Sequence, residues 1–407
     1  MVCQCYHDQL ISIRRKLHQY PEEGWSEFTT TAFLVETLRG YGYKVLLGRS
    51  VVNPDACLGR NMKVVKAGIE RARKNGVSEE LLDEMQELTG CVAVLDTGRP
   101  GPTFACRFDI DCVPVQESSD PKHLPTKEGF ASRNPGFMHA CGHDAHMSMG
   151  LAVAHWIMDN KDKLAGKIKI IFQPAEEGVR GAAGVAASGI LDDVDFFLSS
   201  HVAMLAKSGE LATNLYGFLC TTKYDVTFHG RASHAGVSPQ EGRNALAAAA
   251  NATVQMLGIS RHGGGMTRVN IGQLIAGEGR NVIPSTAVMK LEVRGETMEI
   301  NNYMCEQVNN ICEGVAKSFS VTFDIAKMGE AVDLHSDPEL VKLLNESGKE
   351  VGLNVLNTPL NFGGSEDATI LARRVQAHGG KAAFFVWGSD RPSGHHSALF
   401  DINEKDM

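Results

Sequence analysis

MHACGHDAHMSMG, residues 138–150, carries more ligand chemistry than any other short span of this sequence. Cys141, His143 and His146 fall in one window, with Asp144 between the two histidines and His139 just ahead. A thiolate and an imidazole separated by one residue can face the same metal ion only where the backbone turns, and Gly142 permits that turn. The run MSMGLAVAHWI that follows is apolar at helical spacing. The pair is therefore expected just before the N-terminus of a buried helix, an end that favours thiolate over thiol. Taken alone, the motif is also that of a buried core thiol beside satisfied histidines. Its weight comes from its surroundings.

The flanking sequence repeats one pattern. GPTFACRFDID is a β-rich run that delivers Asp109 and Asp111 where a strand should end, and KIKIIFQPAEEG is an apolar strand broken at Pro174 and followed by Glu176 and Glu177. DFFLSSH ends a strand on His201, and KAAFFVWG leads into a loop bearing His395 and His396. In an open α/β sheet the ligand site forms outside the carboxyl ends of the strands. One pocket at that edge would collect these oxygen, nitrogen and sulfur groups, which are the donor types of a transition-metal site.

Residues 7–20 and 29–42 have helical spacing closed by Pro or Gly, and a strand-like YKVLL follows. Residues 53–90 form a charged segment broken at Asn75-Gly76 and restarted by a Ser78 cap with Glu79 and Glu80 behind it, the pattern of a helical hairpin insertion. CVAVLDTG is a strand, residues 114–135 have loop composition, and GVRGAAGVAASGI suits a small-residue helix. Near Gly217 the character changes. Strand 222–229, helix 242–257, strands 267–276 and 286–296, helix 298–318 and strand 321–326 give the β-α-β-β-α-β order of a ferredoxin-like unit. The earlier alternation resumes after 331 with LNESGKEVGL, FGGSEDATILARR and KAAFFVWG. A discontinuous domain of 1–216 and 331–407 with an inserted domain of 217–330 is expected.

A chain of 407 residues with 43% hydrophobic content has room for two or three domains. Its net charge of −8 and pI near 6.0 argue against nucleic acid or an anionic membrane as partner. The ten cysteines lack a framework spacing, which points to a reducing compartment; Cys3 and Cys5 are too close for an ordinary bridge and are assigned to a disordered terminus. IRRKLHQYPE reads as a surface helix ending before Pro21, with no signal peptide, and no apolar run reaches membrane-spanning length. A soluble cytoplasmic protein is expected.

HQYPEEGWSE, RFDIDCVPV, GFMHACGHDAHMSMG, IFQPAEEG, the strand ending at His201, GRASHAG, GRNVIPSTA, FGGSEDAT and GHHSALFD stand in that order. Through these motifs nearly the whole chain resembles the metallopeptidase family of aminoacylase and glutamate carboxypeptidase type, most closely its amidohydrolase branch. The resemblance implies an α/β catalytic domain with a mixed sheet of zinc-peptidase type, and an inserted ferredoxin-like (βαββαβ) domain acting as lid and dimerisation element. It implies two divalent metal ions, Mn or Zn, held by Cys141, His143, Glu177, His201 and His396. Cys141 would stand where many relatives use a bridging Asp, and a thiolate leans the site toward Zn. His396 is preferred because it directly precedes the Ser-x-x-Phe of the last motif, with His395 as the alternative. Asp111 would orient an imidazole from behind, while Asp109 and His146 are read as structural.

The same resemblance implies Glu176 as general base and His234 of SHAG as the donor to the carbonyl oxygen, supplied across a dimer interface. Arg294 and Asn281 would bind a substrate carboxylate, with Arg261, His262 and Arg280 as further candidates for a second one. The insertion, ISRHGGGMTRVNIG and LNFGGSEDA are most similar to the group of the branch that splits p-aminobenzoyl-glutamate. A small-molecule amide substrate is therefore expected, with assembly as a homodimer or as a heterodimer of related chains. The alternative enzyme is a broader N-acyl amino acid hydrolase, of hippurate or N-acetyl type. A non-catalytic member of a hetero-oligomer is opposed by the intact Glu176 and ligand positions. Family members continue past the last histidine into a closing helix, whereas this sequence stops after FDINEKD; a truncation would leave part of the catalytic layer uncovered.

Overall fold

The apolar strand runs pair into a single mixed sheet whose parallel centre sets the direction of every loop that matters. The computed structural model describes residues 4–407 and divides into two units. The first comprises the chain up to Tyr216 with Leu334–Phe362 and Asp367–Met407, and the second Gly217–Asp333 with Gly363–Glu366.

The first unit opens with α1 (Gln4–His18), α2 (Phe28–Gly40) and β1 (Lys44–Leu46), then α3 (Met62–Lys74), α4 (Glu79–Met85), β2 (Cys91–Asp96) and β3 (Thr103–Asp109). It continues through α5 (Leu124–Glu128), α6 (His143–Asp159), β4 (Lys167–Gln173), α7 (Ala182–Ala186), β5 (Phe196–Val202), β6 (Glu210–Ala212) and β7 (Leu215–Tyr216). The second unit contains β8 (Cys220–His229), α8 (Ala245–Leu257), β9 (Thr267–Ala276), β10 (Thr286–Gly295), α9 (Met298–Phe319) and β11 (Thr322–Ala331). The chain returns to the first unit with α10 (Pro338–Glu350), β12 (Asn354–Leu356), β13 (Leu360–Asn361), α11 (Ala368–Ala377) and β14 (Lys381–Trp387).

The large sheet has eight strands in the order β1-β2-β4-β3-β5-β14-β6-β12. Its centre, β4-β3-β5-β14, is parallel throughout. Asp109 pairs with Gln173 and His201 with Val386, so the loops after these strands leave from one edge. β4 is buried from Ile168 to Gln173, which explains why KIKIIFQ reads as a nearly continuous apolar run: parallel strands are covered on both faces. Phe172, Phe197 and Phe384 fill the core beside Leu151 and Met147 of α6.

The expected helical hairpin is present as α3 and α4, with Asn61 capping the first and Ser78 accepting from the Leu81 amide to cap the second. Local readings fail in several places. The expected loop 114–135 contains α5, which ends at Gly129 in a left-handed conformation. The small-residue helix shrinks to the short α7, because a run so rich in glycine holds a helix poorly. Helix α6 begins at His143 itself, and β11 runs on to Ala331 because it pairs along most of β8. Cys5 lies within α1 rather than in a disordered end, and Cys3 is outside the described residues. The surface-helix reading of IRRKLHQYPE is corrected as well: Arg14 and His18 of α1 are buried, because carboxylates distant in sequence wait beneath them. No helix among the described residues is long and apolar enough to cross a membrane.

In the second unit the sheet order is β11-β8-β10-β9, with every pair antiparallel, the arrangement of a ferredoxin-like unit. Ala248, Ala249 and Ala252 of α8 share a core with Phe228, Met289, Met304 and Val308. The alanines let α8 lie close to its neighbours. β9 is left as an edge strand.

Candidate metal centre

Gly142 takes φ +87° and caps α6, placing Cys141 before the turn and His143 on the first helical residue. The thiol and imidazole then meet donors from three other loops. Cys141 Sγ lies 3.5 Å from His201 Nε2. Nδ1–H of His201 donates to the Val202 carbonyl at 2.8 Å, which leaves the Nε2 lone pair directed at the sulfur. His143 repeats the device: Nδ1–H donates to the Asp111 carbonyl at 2.9 Å, and Nε2 is buried with no hydrogen-bond partner. That nitrogen lies 4.0 Å from Glu177 Oε1, and His396 Nε2 stands 3.3 Å from the same oxygen.

Two overlapping donor groups result. The ligand atoms of Cys141, His143 and His201 lie within 4.8 Å of one another, and so do those of Cys141, Glu177 and His396. Cys141 belongs to both. Glu176, at 9% exposure, forms a further group with His143 and Glu177.

The frame behind these donors is charged and buried. Asp111 accepts the amide N–H of Glu176 at 3.0 Å and of Glu177 at 2.9 Å, and lies 3.4 Å from His143 Nδ1. Asp109 accepts from His146 Nδ1 at 2.6 Å and from Arg107 at 2.8 Å. His146 Nε2 accepts the Val202 amide at 2.9 Å, so both its nitrogens are engaged in holding the loop that follows His201. Asp144, one residue into α6, receives Arg14 at 2.9 Å and His18 at 2.8 Å from α1.

Burial alone would lower the His143 pKa, but Asp109, Asp111 and Glu177 outweigh it and push the imidazole up to about 10. His201 goes the other way, held well below its ordinary range by burial and by neighbouring His146 and His395. The Glu177 carboxyl is lowered: burial opposes this, and His396 and His143 overcome it. Several carboxylates thus surround one imidazole whose outer nitrogen has no partner, beside a neutral imidazole and a thiol. A divalent cation answers that imbalance, and the mixed sulfur, nitrogen and oxygen donors fit a transition metal.

His395 stands apart from these groups. Its Nε2 lies 3.3 Å from the Val202 carbonyl and its Nδ1 3.2 Å from Arg391, and burial with Arg391 pushes it down to about 4. His234, Asn281 and Arg294 belong to the second unit. His234 is exposed, and its Nδ1 accepts the amides of Gly236 and Val237, both at 3.2 Å. The Ala235 amide donates to the Asn281 carbonyl at 2.9 Å, so the loops bearing His234 and Asn281 run side by side. Arg294, near the end of β10, is held by Glu292 at 3.0 Å. Arg261 and Arg280 are exposed, and His262 is half-buried. Sequence reasoning missed Arg14, His18 and the fully buried Glu27. The only signal for Glu27 was its place in HQYPEEGWSE, since an acid after a turn looks like surface.

The parallel strand ends, the converging donors and the carboxyl beside them define a hydrolase of two-unit α/β architecture with a candidate metal centre. The profile of Peptidase family M20/M25/M40 matches residues 105–407, and the chain belongs to that family, whose members hydrolyse amide bonds. It is 53% identical over 402 residues to a p-aminobenzoyl-glutamate hydrolase homolog of Haemophilus influenzae, covering 98% of this chain and 95% of that protein. It is 43% identical to the indole-3-acetyl-aspartic acid hydrolase of Enterobacter agglomerans, covering 97% and 91%. Among solved structures it is similar to the aminobenzoyl-glutamate utilization protein of Klebsiella pneumoniae, with TM-score 0.83, 36% identity and coverage of 96% and 94%.

Proposed function

We propose that this chain is a metal-dependent amidohydrolase that cleaves the amide bond of p-aminobenzoyl-glutamate to p-aminobenzoate and glutamate. The observation carrying the chemistry is the pair of donor groups sharing Cys141, with Glu176 beside them. The relative at 53% identity, named for that hydrolysis, supports the substrate.

Cys141, His143, Glu177, His201 and His396 would hold two divalent ions, Mn or Zn. Such ions supply Lewis acidity toward the amide carbonyl and acidify water, its pKa falling toward ~7 with zinc. The Glu176 carboxylate takes the proton from the attacking water and returns it to the departing aromatic amine. Its backbone amide is fixed by Asp111, so its reach is set before substrate arrives. His234 accepts two backbone amides at Nδ1, which places its proton on Nε2 and makes that atom a donor for the carbonyl oxygen as charge builds there. Arg294, preset by Glu292, and Asn281 bind carboxylate oxygens of the glutamate moiety.

Residues 217–330 serve as lid and dimerisation domain, the partner being a second copy or a related chain. The open edge of β9, with Ile275 59% exposed, and Val254 of α8, 72% exposed, supply an apolar surface for it. The free thiols of the described cysteines support a reducing, cytoplasmic setting. A second reading, hydrolysis of other N-acyl acidic amino acids, is favoured by the 43% identity to the indole-3-acetyl-aspartic acid hydrolase.

The test is release of p-aminobenzoate by the wild-type chain and by Glu176→Gln, beside a panel of indole-3-acetyl-aspartate, hippurate and N-acetyl amino acids. Hydrolysis of p-aminobenzoyl-glutamate above the others, reduced about 1,000-fold in the variant, is expected. Equal rates in both proteins would sink the chemistry, and preference for another acyl group would move the substrate.

A further inference from the structure

Glu27, at the N-terminus of α2, is fully buried and bonds to the loop that carries the proposed base. Its Oε1 accepts the Ala175 amide at 2.8 Å and its Oε2 accepts the Thr89 hydroxyl at 2.7 Å. The next two amides, of Glu176 and Glu177, are held by Asp111. Three successive N–H groups are thus gripped by two buried carboxyls. The grip has something to hold, because Ala175 takes φ +52°, a left-handed conformation that strains a residue with a Cβ.

The segment bearing Glu27 presses directly on that turn. A Cβ at Gly24 would fall 2.9 Å from the Ala175 Cα, so only glycine allows the approach. The segment is also braced from the helical insertion. Arg71 of α3 donates Nε–H to Glu22 Oε1 at 3.0 Å and Nη2–H to the carbonyl and hydroxyl of Ser26, both at 2.9 Å. On the other side the Glu22 carbonyl accepts the amide of Cys112, next to Asp111, at 3.0 Å. Burial, reinforced by nearby Asp111, pushes the Glu27 carboxyl up to about 8. A buried acid so placed is costly to folding, and such cost is concentrated where function needs it.

We propose that Glu27 is a positioning residue for Glu176, acting through the Ala175 amide, and that the helical insertion braces it through Arg71. The proposal rests on the reading of Glu176 as general base.

The experiment measures kcat, KM, bound metal and melting temperature for wild type, Glu27→Ala, Glu27→Gln, Arg71→Ala and Glu176→Gln, with p-aminobenzoyl-glutamate as substrate. A misplaced base costs turnover rather than binding, so Glu27→Ala loses about 100-fold in kcat with KM and metal content unchanged. Gln retains an acceptor for Ala175 and a polar partner for Thr89, and brings kcat back to within about threefold of wild type. Arg71→Ala, at a partly exposed position, lowers kcat about tenfold without changing KM. Wild-type kcat in Glu27→Ala and Arg71→Ala overturns the proposal, as does a loss that follows metal content or melting temperature. If Glu27→Ala does not fold, Arg71→Ala decides by the same criteria. Full activity of Glu176→Gln refutes the general-base reading instead, so the two failures are distinguishable.

Discussion

Cys141 Sγ lies 3.5 Å from His201 Nε2, and the same sulfur belongs to the donor group of Glu177 and His396, so one side chain joins both halves of the cluster. Cys141→Ala is expected to weaken metal binding at both halves by about 100-fold or more, since loss of even an outlying partner of a ligand costs 10- to 100-fold. Cys141→Asp, which keeps an anionic donor, retains metal. Metal content after dialysis, by inductively coupled plasma mass spectrometry, checks this; full stoichiometry in Cys141→Ala would remove sulfur from the ligand set.

Gly142 holds the turn between Cys141 and His143 at φ +87°, and a Cβ there would fall 2.5 Å from Val202 Cγ1. Gly142→Ala is expected to lose about 2 kcal/mol of stability through backbone strain and overpacking. Because Val202 follows His201, the clash is transmitted to the cluster. Chemical denaturation and metal content should fall together, and an unchanged midpoint would show that the turn relaxes without strain.

The exposed apolar side chains of the second unit predict an assembly. Val254→Glu combined with Ile275→Lys places charge on α8 and on the edge strand β9, and the dimer is expected to dissociate while each unit stays folded. Light scattering after gel filtration reads the mass. If His234 acts on the neighbouring copy, kcat falls with the dimer; a monomeric wild type would refute the assembly.

His18 is buried between Asp144 and Glu117, 2.8 Å and 3.0 Å from its two nitrogens. Burial lowers its pKa, but the bonds to Asp144 and Glu117 win and push it up to about 9. The folded state therefore binds this proton more tightly than the unfolded chain, whose histidine titrates near ~6.5. The resulting stability, roughly 3 kcal/mol, is fully present below about pH 6.5 and is lost as pH rises through about 9. The melting-temperature advantage of wild type over His18→Gln should shrink across that range. A gap that widens toward alkaline pH would contradict the assignment.

Much of this architecture was legible locally. KIKIIFQ and KAAFFVWG are apolar for the length of a strand, and the acids and histidines that follow them could be assigned to one edge before any pairing was known. The helical insertion announced itself through Ser78 and the acidic turn behind it. Other features depended on partners remote in sequence. Arg14 and His18 look like the polar face of a surface helix until Asp144 and Glu117 are placed beneath them. The short α7 and α5 also escaped, because glycine spacing and a brief polar run carry little periodic signal.

The sequence by itself determined the element types, the parallel strand ends and the chemical kinds of donor available, because hydrophobic period and turn chemistry act over a few residues. Only the tertiary structure decided which of two adjacent histidines stands beside Glu177, that His146 is satisfied on both nitrogens, and that Glu27 grips the Ala175 amide. Those outcomes turn on distances between groups far apart in the chain. A side chain's pattern shows whether it faces core or solvent, whereas the partner it finds there is set by how the layers pack.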